Sequence, residues 1–221
     1  MNKPFATFDS NAFRVSDIEH ARHITVGDLV FEDGSIITTD ERWEIDTQYT
    51  LKFITENFSL TEKSVILDYG CGLGRIAKVL IENIGCKVYG ADESPTMLRL
   101  SSEYVNSSRF YTIYPTQLNS SLKFDFIYSL WVLQHSGWPR DDLNKIFDSL
   151  HESKKFLVFN ENRRYVPTNE YGFANDNTNI KELIREKFGE PLSTGKLDPE
   201  IVTKKFSERT WWGVYSRRDS N

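Results

Sequence analysis

The segment Val65-Ile66-Leu67-Asp68-Tyr69-Gly70-Cys71-Gly72-Leu73-Gly74-Arg75 restricts the fold of this chain more than any other stretch. Val65 to Leu67 is a short apolar run of the kind a buried parallel strand requires. It leads into an acid and three alternate glycines, and Ile76 to Ile84 continues with helical spacing. Strand, glycine turn and helix together form a unit that cradles a nucleotide-like ligand. Glycines suit the turn because Cβ atoms would block it and keep the backbone away from the ligand. The spacing also argues against one ligand class. A dinucleotide fingerprint reads G-x-G-x-x-G/A, and counting from Gly70 the sixth position is Arg75. A dehydrogenase is therefore the weakest option.

Downstream, predicted strands and helices alternate. Lys87 to Asp92 reads as a second strand ending in an acid. Ser94-Pro95 then opens a helix through Met97, Leu98, Leu100 and Tyr104, with a hydroxyl cap and proline at the first helical position. Arg109–Ile113, Phe124–Leu130 and Lys155–Asn160 read as further strands. Asp141-Asp142 starts a helix whose inner face is Leu143, Ile146, Phe147 and Leu150. This alternation predicts an α/β fold with a mostly parallel sheet and right-handed crossovers. Ahead of the glycine turn, Val26 to Ile37 predicts a hairpin turning at Asp33-Gly34. Trp43, Thr47, Leu51, Ile54 and Phe58 then recur at helical spacing. In the tail, Ile180–Phe188 reads as a helix. Ile201–Phe206 and Trp211–Arg217 read as two strands whose short link permits only an antiparallel hairpin.

The length, 221 residues, fits one domain, residues 41–221, with residues 1–40 as an extension or lid. A net charge of −5 and a pI near 5.5 leave no overall footprint for nucleic acid; Arg163-Arg164 and Arg217-Arg218 are pairs, not stripes. Cys71 and Cys86 are too few for a disulfide framework or a zinc cluster and read as packing residues. The stretch Met1 to Asp9 has no apolar signal core, and no run reaches the ~18 apolar residues of a membrane span. A soluble, reducing, cytoplasmic setting with no membrane partner is the expectation. Aromatic residues make up 14 % of the chain. Trp131, Trp138, Trp211 and Trp212 stand near predicted strand ends, as walls of an acceptor pocket or as core.

Three motifs carry a family resemblance over roughly Val65 to Glu161. The first is Asp68-x-Gly70-x-Gly72-x-Gly74. The second is Asp92, 24 residues after Asp68, with Ser94-Pro95 and Met97-Leu98. The third is Phe124-Asp125-Phe126-Ile127-Tyr128-Ser129 running on to Val132-Leu133-Gln134-His135. Together they resemble class I S-adenosylmethionine-dependent methyltransferases of the small-molecule type. The resemblance implies a Rossmann-like, mostly parallel seven-stranded sheet with an antiparallel C-terminal hairpin and helices on both faces. It also implies S-adenosylmethionine as cofactor and S-adenosylhomocysteine as product. By carry-over, Asp68, Gly70, Cys71, Gly72 and Gly74 border the methionine part, Met97 flanks adenine, and Ser129 and Leu130 lie near the sulfonium. Asp92, with Glu93 as competitor, can accept the ribose hydroxyl protons. Gln117 stands near the place where the family often has an acid for the adenine amino group. His151-Glu152-Ser153-Lys154-Lys155 replaces a common Gly-Gly turn.

Methyl transfer asks little of the protein, because the sulfonium already activates the methyl group. The acceptor must be held in line at about 3–3.5 Å with water excluded. His135, beyond the fourth strand, is either a general base or a polar cap on the next segment. Glu161, after the fifth strand, orients an acceptor or serves as base. His20 and His23 reach the site only under a folded-over N-terminal segment, and His151 is placed far from it. Ser129 stands where a catechol-type metal site needs a carboxylate, so no metal is expected. The [N/D]-P-P-[Y/F] signature is absent, and no cysteine after Cys86 can serve a cytosine C5 mechanism. The expected function is methyl transfer to oxygen or nitrogen of a small molecule by direct displacement. The alternatives are a protein or RNA acceptor, or a cofactor-binding protein without turnover.

Overall fold

The computed structural model describes residues 15–31, 33–162, 178–199 and 202–217, together with the backbone of the short strands at 166–167 and 173–174. Helix α1 (Ile18–Thr25) is capped by Asp17, whose carboxylate accepts the His20 N–H. Strands β1 (Leu29–Val30) and β2 (Ile36–Ile37) pair antiparallel. Their turn falls at Asp33-Gly34, as the sequence predicts: Gly34 has φ +86°, and Asp33 accepts the Ser35 N–H. Helix α2 (Thr39–Asn57) begins in a capping box formed by Thr38 and Glu41. It buries Trp43, Thr47 and Ile54, three of the positions whose spacing marks it in the sequence.

The predicted alternation then follows: β3 (Val65–Tyr69), α3 (Arg75–Ile84), β4 (Lys87–Ala91), α4 (Pro95–Val105), β5 (Phe110–Ile113), β6 (Phe124–Leu130), α5 (Pro139–Ser149) and β7 (Leu150–Glu161). The segments β8 (Val166–Pro167) and β9 (Phe173–Ala174) form a separate small pair. The tail adds α6 (Ile180–Phe188), β10 (Ser193–Gly195), α7 (Lys204–Arg209) and β11 (Thr210–Ser216). The main sheet has seven strands in the order β10-β11-β7-β6-β3-β4-β5. Strands β3 to β7 run parallel, and β11 lies antiparallel between β7 and β10. The strand order therefore reverses between β3 and β6, the switch point at which open α/β sheets bind ligands.

Strand alternation divides the core into two layers. Ile66, Val88, Phe126 and Tyr128 pack with Ile54 of α2 and Leu80 of α3. On the opposite face, Leu67, Ile127 and Phe156 pack with Leu143 and Ile146 of α5 and Ile184 of α6. Among the described residues, no helix is long and apolar enough to cross a membrane.

The tail corrects one expectation. Residues 202–206 of the strand expected over Ile201–Phe206 do not form one, and Ile201 lies outside the described residues. Thr203 caps helix α7 by accepting the Phe206 N–H at 3.1 Å, and Val202 and the half-buried Phe206 lie four residues apart on the apolar side. A helical period was present in a stretch read as strand because it was short and β-branched. On its outer side β11 pairs antiparallel with the polar three-residue β10 instead. Strand β7 also begins at Leu150, so His151 lies at a strand start.

Candidate cofactor and acceptor site

A cavity of about 270 Å³ opens at the switch point, walled by the turn after β3, the end of β4 and the loop after β6. The walls come close enough to dictate glycine at 70. A Cβ on Gly70, which has φ +80°, would stand 2.2 Å from a Val132 methyl carbon. Gly72 differs: at φ +50° no atom lies within 4 Å of its would-be Cβ, so a side chain there would occupy open space at the cavity wall. Asp92 braces the same turn. Its Oδ2 accepts the Gly72 N–H at 3.0 Å and its Oδ1 accepts the Ser94 N–H at 2.9 Å. Each oxygen retains a lone pair for a ligand hydroxyl.

The cavity is short of positive charge. Burial pushes the Asp68 carboxyl up to about 7; the nearby Asp92 charge adds to this, while the Tyr128 hydroxyl and Arg75 oppose it. Burial also raises Asp92, against backbone N–H donors from Ser94 and Gly72. A cationic ligand would relieve both acids. S-adenosylmethionine, with a sulfonium and an ammonium, fits this donor set, and its ribose hydroxyls fit Asp92. Met97 is buried beside Trp43 and Leu73 and supplies an apolar wall. Burial drives the Cys71 thiol well above its ordinary range, as suits a packing residue.

A second cavity of about 200 Å³ adjoins the first and shares Thr25, Arg75, Trp131 and His135 with it. Its other walls include Tyr49, Phe159 and Phe206, with Arg42, Asp46 and Glu161 as charged groups. The loop between the two cavities is firmly tied. Trp131 takes φ +65°, a conformation costly for a residue with a Cβ, and its N–H donates to the Phe159 carbonyl at 2.8 Å. Gln134 N–H donates to Asn160 Oδ1 at 3.1 Å. On the other side, Tyr69 and Ser136 both donate hydroxyl bonds to the buried Asp142 of α5. His135 is held neutral, because burial lowers its pKa to about 4.

Asp68, Gly70, Cys71, Gly72, Asp92, Glu93, Met97 and Leu130 all line the first cavity, and His135 lines both. Glu161 lines the second, with Arg209 at 4.0 Å. Other expected site residues stand elsewhere. Gly74 caps α3 at φ +73°. Ser129 is fully buried within β6 and lines neither cavity. Gln117 lies outside both, and its carboxamide oxygen accepts the Tyr114 N–H at 2.7 Å. Of the four tryptophans, Trp131 walls the cavities. Trp138 is 48 % exposed, Trp211 is buried beneath Lys181, and Trp212 packs on Phe53. Neither His20 nor His23 lines either of these two cavities, whereas Ile24 and Thr25 of α1 line the first.

Sequence reasoning missed Arg75 as a site residue. Its guanidinium bridges α3 to α2 through the Trp43 carbonyl and Thr47 Oγ1, both at 3.2 Å, and lies over the Trp43 ring. Trp43 and Thr47 sit four residues apart on one face of α2, which was the available signal. Asp142 was read as a helix-dipole acid, and nothing in its spacing pointed to Tyr69.

A doubly wound sheet with an acid-braced glycine turn at its switch point defines a Rossmann-like cofactor-binding domain. Residues 66–155 match the family described as methyltransferase domain. The tRNA U34 carboxymethyltransferase of Aliarcobacter butzleri (strain RM4018) is 28% identical over 124 residues, which is 54% of this chain and 40% of that protein. The chain thus spans less than half the length of this curated relative. Among solved structures, the methyltransferase bound to the Trm112 activator of Haloferax volcanii superposes with a TM-score of 0.63 at 14% identity, covering 82% of this chain and 92% of that one. Geranyl diphosphate C-methyltransferase from Streptomyces coelicolor A3(2), solved with S-adenosyl-L-homocysteine, gives 0.59 at 11% identity, with 77% and 76% covered. These two share the fold. Over residues 66–155 the chain thus matches a methyltransferase-domain family, in line with its resemblance to class I S-adenosylmethionine-dependent methyltransferases.

Proposed function

We propose that the protein transfers a methyl group from S-adenosylmethionine to oxygen or nitrogen of a small molecule by direct displacement. The observation that carries this reading is the pair of adjoining cavities, one suited to the cofactor and one of about 200 Å³ walled by aromatic side chains. In this reading Asp92 accepts the ribose hydroxyls, with Glu93 on the rim beside it. The turn Gly70-Cys71-Gly72 faces the methionine part, and the Asp68 carboxylate balances its positive charge. Met97 packs against the adenine, and Leu130 borders the sulfonium. When bound, the cofactor supplies a methyl group already activated for transfer. The protein's part is to orient the acceptor between Trp131 and Glu161 and to exclude water. Residues 1–40 are an extension or lid; residues 1–14 lie outside the described residues, and the lid reading is supported by Ile24 and Thr25 walling the cofactor cavity.

The test is incubation with methyl-labelled cofactor and separate small-molecule, RNA and protein fractions of a cell extract. Label in a small product is expected. Label confined to RNA would overturn the small-molecule reading in favour of a second one, an RNA acceptor. That second reading is supported by the similarity to a tRNA-modifying enzyme. The formal charge of −5 favours the first.

A further inference from the structure

Gln134, His135 and Glu161 form a hydrogen-bond chain that decides which protons the site can move. The Glu161 backbone N–H donates to Gln134 Oε1 at 2.6 Å, which fixes the orientation of the carboxamide. Its nitrogen Nε2 then stands 3.2 Å from His135 Nε2. A carboxamide nitrogen donates and does not accept, so His135 Nε2 is the acceptor and the proton of the neutral ring sits on Nδ1. Protonating Nε2 would set N–H against N–H. Flipping the carboxamide would only move that clash to the Glu161 N–H, which is held in place by the pairing of β7 with β11.

Among the described residues, the charged groups lining the cavities that His135 borders are Arg42 and Asp46 of α2, Arg75 of α3 and Glu161 of β7 on the acceptor side. On the cofactor side they are Asp68, Asp92, Glu93 and Asp142. Burial is the cause that keeps the ring neutral, in the same direction as the hydrogen-bond chain.

We propose that Gln134 locks His135 as the Nδ1–H tautomer, so that His135 is no general base and the site takes an acceptor whose nucleophilic atom carries no proton to lose at neutral pH. An ionised carboxylate and an unprotonated aromatic nitrogen belong to this class; an aliphatic hydroxyl or an ammonium does not. The acceptor's lone pair forms the bond to the methyl carbon, and the electrons of the broken C–S bond stay on sulfur. A carboxylate and a sulfonium thus become a neutral ester and a thioether, and no proton leaves. The acceptor half of this proposal rests on the methyltransferase reading; the tautomer does not.

Nitrogen-15 NMR of the imidazoles, with S-adenosylhomocysteine bound and His135 assigned by loss of its signal in His135→Asn, tests the tautomer from pH 5.5 to 8.5. The expected result is an Nδ1-protonated ring that does not titrate in this range. Gln134→Glu keeps an acceptor for the Glu161 N–H but accepts from His135 Nε2. Its ring is expected to move to the Nε2–H form and gain at least ~10-fold in proton affinity. A wild-type ring protonated on Nε2, or one titrating between pH 6 and 7, would overturn the lock; this holds even if Gln134→Glu does not fold. For the acceptor, label transfer in the metabolite fraction is expected to yield a carboxyl ester or an N-methylated aromatic ring. An O-methylated aliphatic alcohol would overturn the acceptor assignment, and no transfer at all would sink the methyltransferase reading while the tautomer stands on the NMR alone.

Discussion

Asp68→Asn is predicted to stabilise the ligand-free protein and to weaken cofactor binding, both in a pH-dependent way. An ordinary aspartate titrates near 3.8, whereas burial holds Asp68 at about 7. The folded protein therefore binds more protons than the unfolded chain between these values, and its stability falls as pH rises through that window. Above pH 7 the ionised, buried carboxylate costs at most about 4 kcal/mol. Asparagine has the same shape and no charge, so at pH 8 the variant recovers part of this cost. For a domain of this size that corresponds to a rise in melting temperature on the order of 10 °C, shrinking toward zero at pH 4. Thermal denaturation followed by circular dichroism at both pH values measures it. Cofactor binding responds in the opposite sense. Wild-type affinity for S-adenosylmethionine rises from pH 6 to 8 as Asp68 ionises, while the variant binds weakly and without pH dependence. A variant that melts no higher than wild type at pH 8, with a pH-independent difference, would refute the account of Asp68.

Three other substitutions separate binding from folding. Gly72→Val places a branched side chain at φ +50° in the open space beside the turn; calorimetry is expected to show loss of cofactor binding with a melting temperature lowered by only a few degrees. Tyr69→Phe removes the 2.6 Å bond to Asp142 and is expected to cost about 1–3 kcal/mol in urea denaturation, with faster amide exchange across Val132 to Ser136. Trp43→Ala empties a buried site and removes the ring beneath the Arg75 guanidinium, which keeps its bonds to the residue 43 carbonyl and Thr47. A loss of about 3–5 kcal/mol is expected, and a loss under 1 kcal/mol would deny Trp43 its place in the cluster with Ala21, Leu73, Met97 and Leu100.

The elements around the switch point were legible because their signals are local. An apolar run, alternate glycines and an Ser-Pro helix start mark β3, the turn and α4 without reference to anything distant. The tail was not. Strand β10 consists of Ser193, Thr194 and Gly195, and its register is set by contact with Trp212, which its own composition does not announce. Residues 202–206 begin with the β-branched Val202 and Thr203 but are governed by the Thr203 cap. The walls of the first cavity were similarly legible, since Asp68, Gly72 and Asp92 lie in one compact unit. The acceptor half depends on pairings between distant segments, among them Gln134 with Glu161, Tyr69 with Asp142 and Arg75 with Thr47. Backbone register and helix packing create these pairs, so residue types alone did not expose the Gln134 constraint on His135.

The central claim is that the turn braced by Asp92 holds S-adenosylmethionine. Isothermal titration calorimetry of wild type and Asp92→Ala with this cofactor tests it most directly. Saturable one-to-one binding by wild type, and its loss in a variant that still unfolds cooperatively, is the predicted result. Equal affinity in the two proteins, or no binding by wild type at millimolar cofactor, would contradict it.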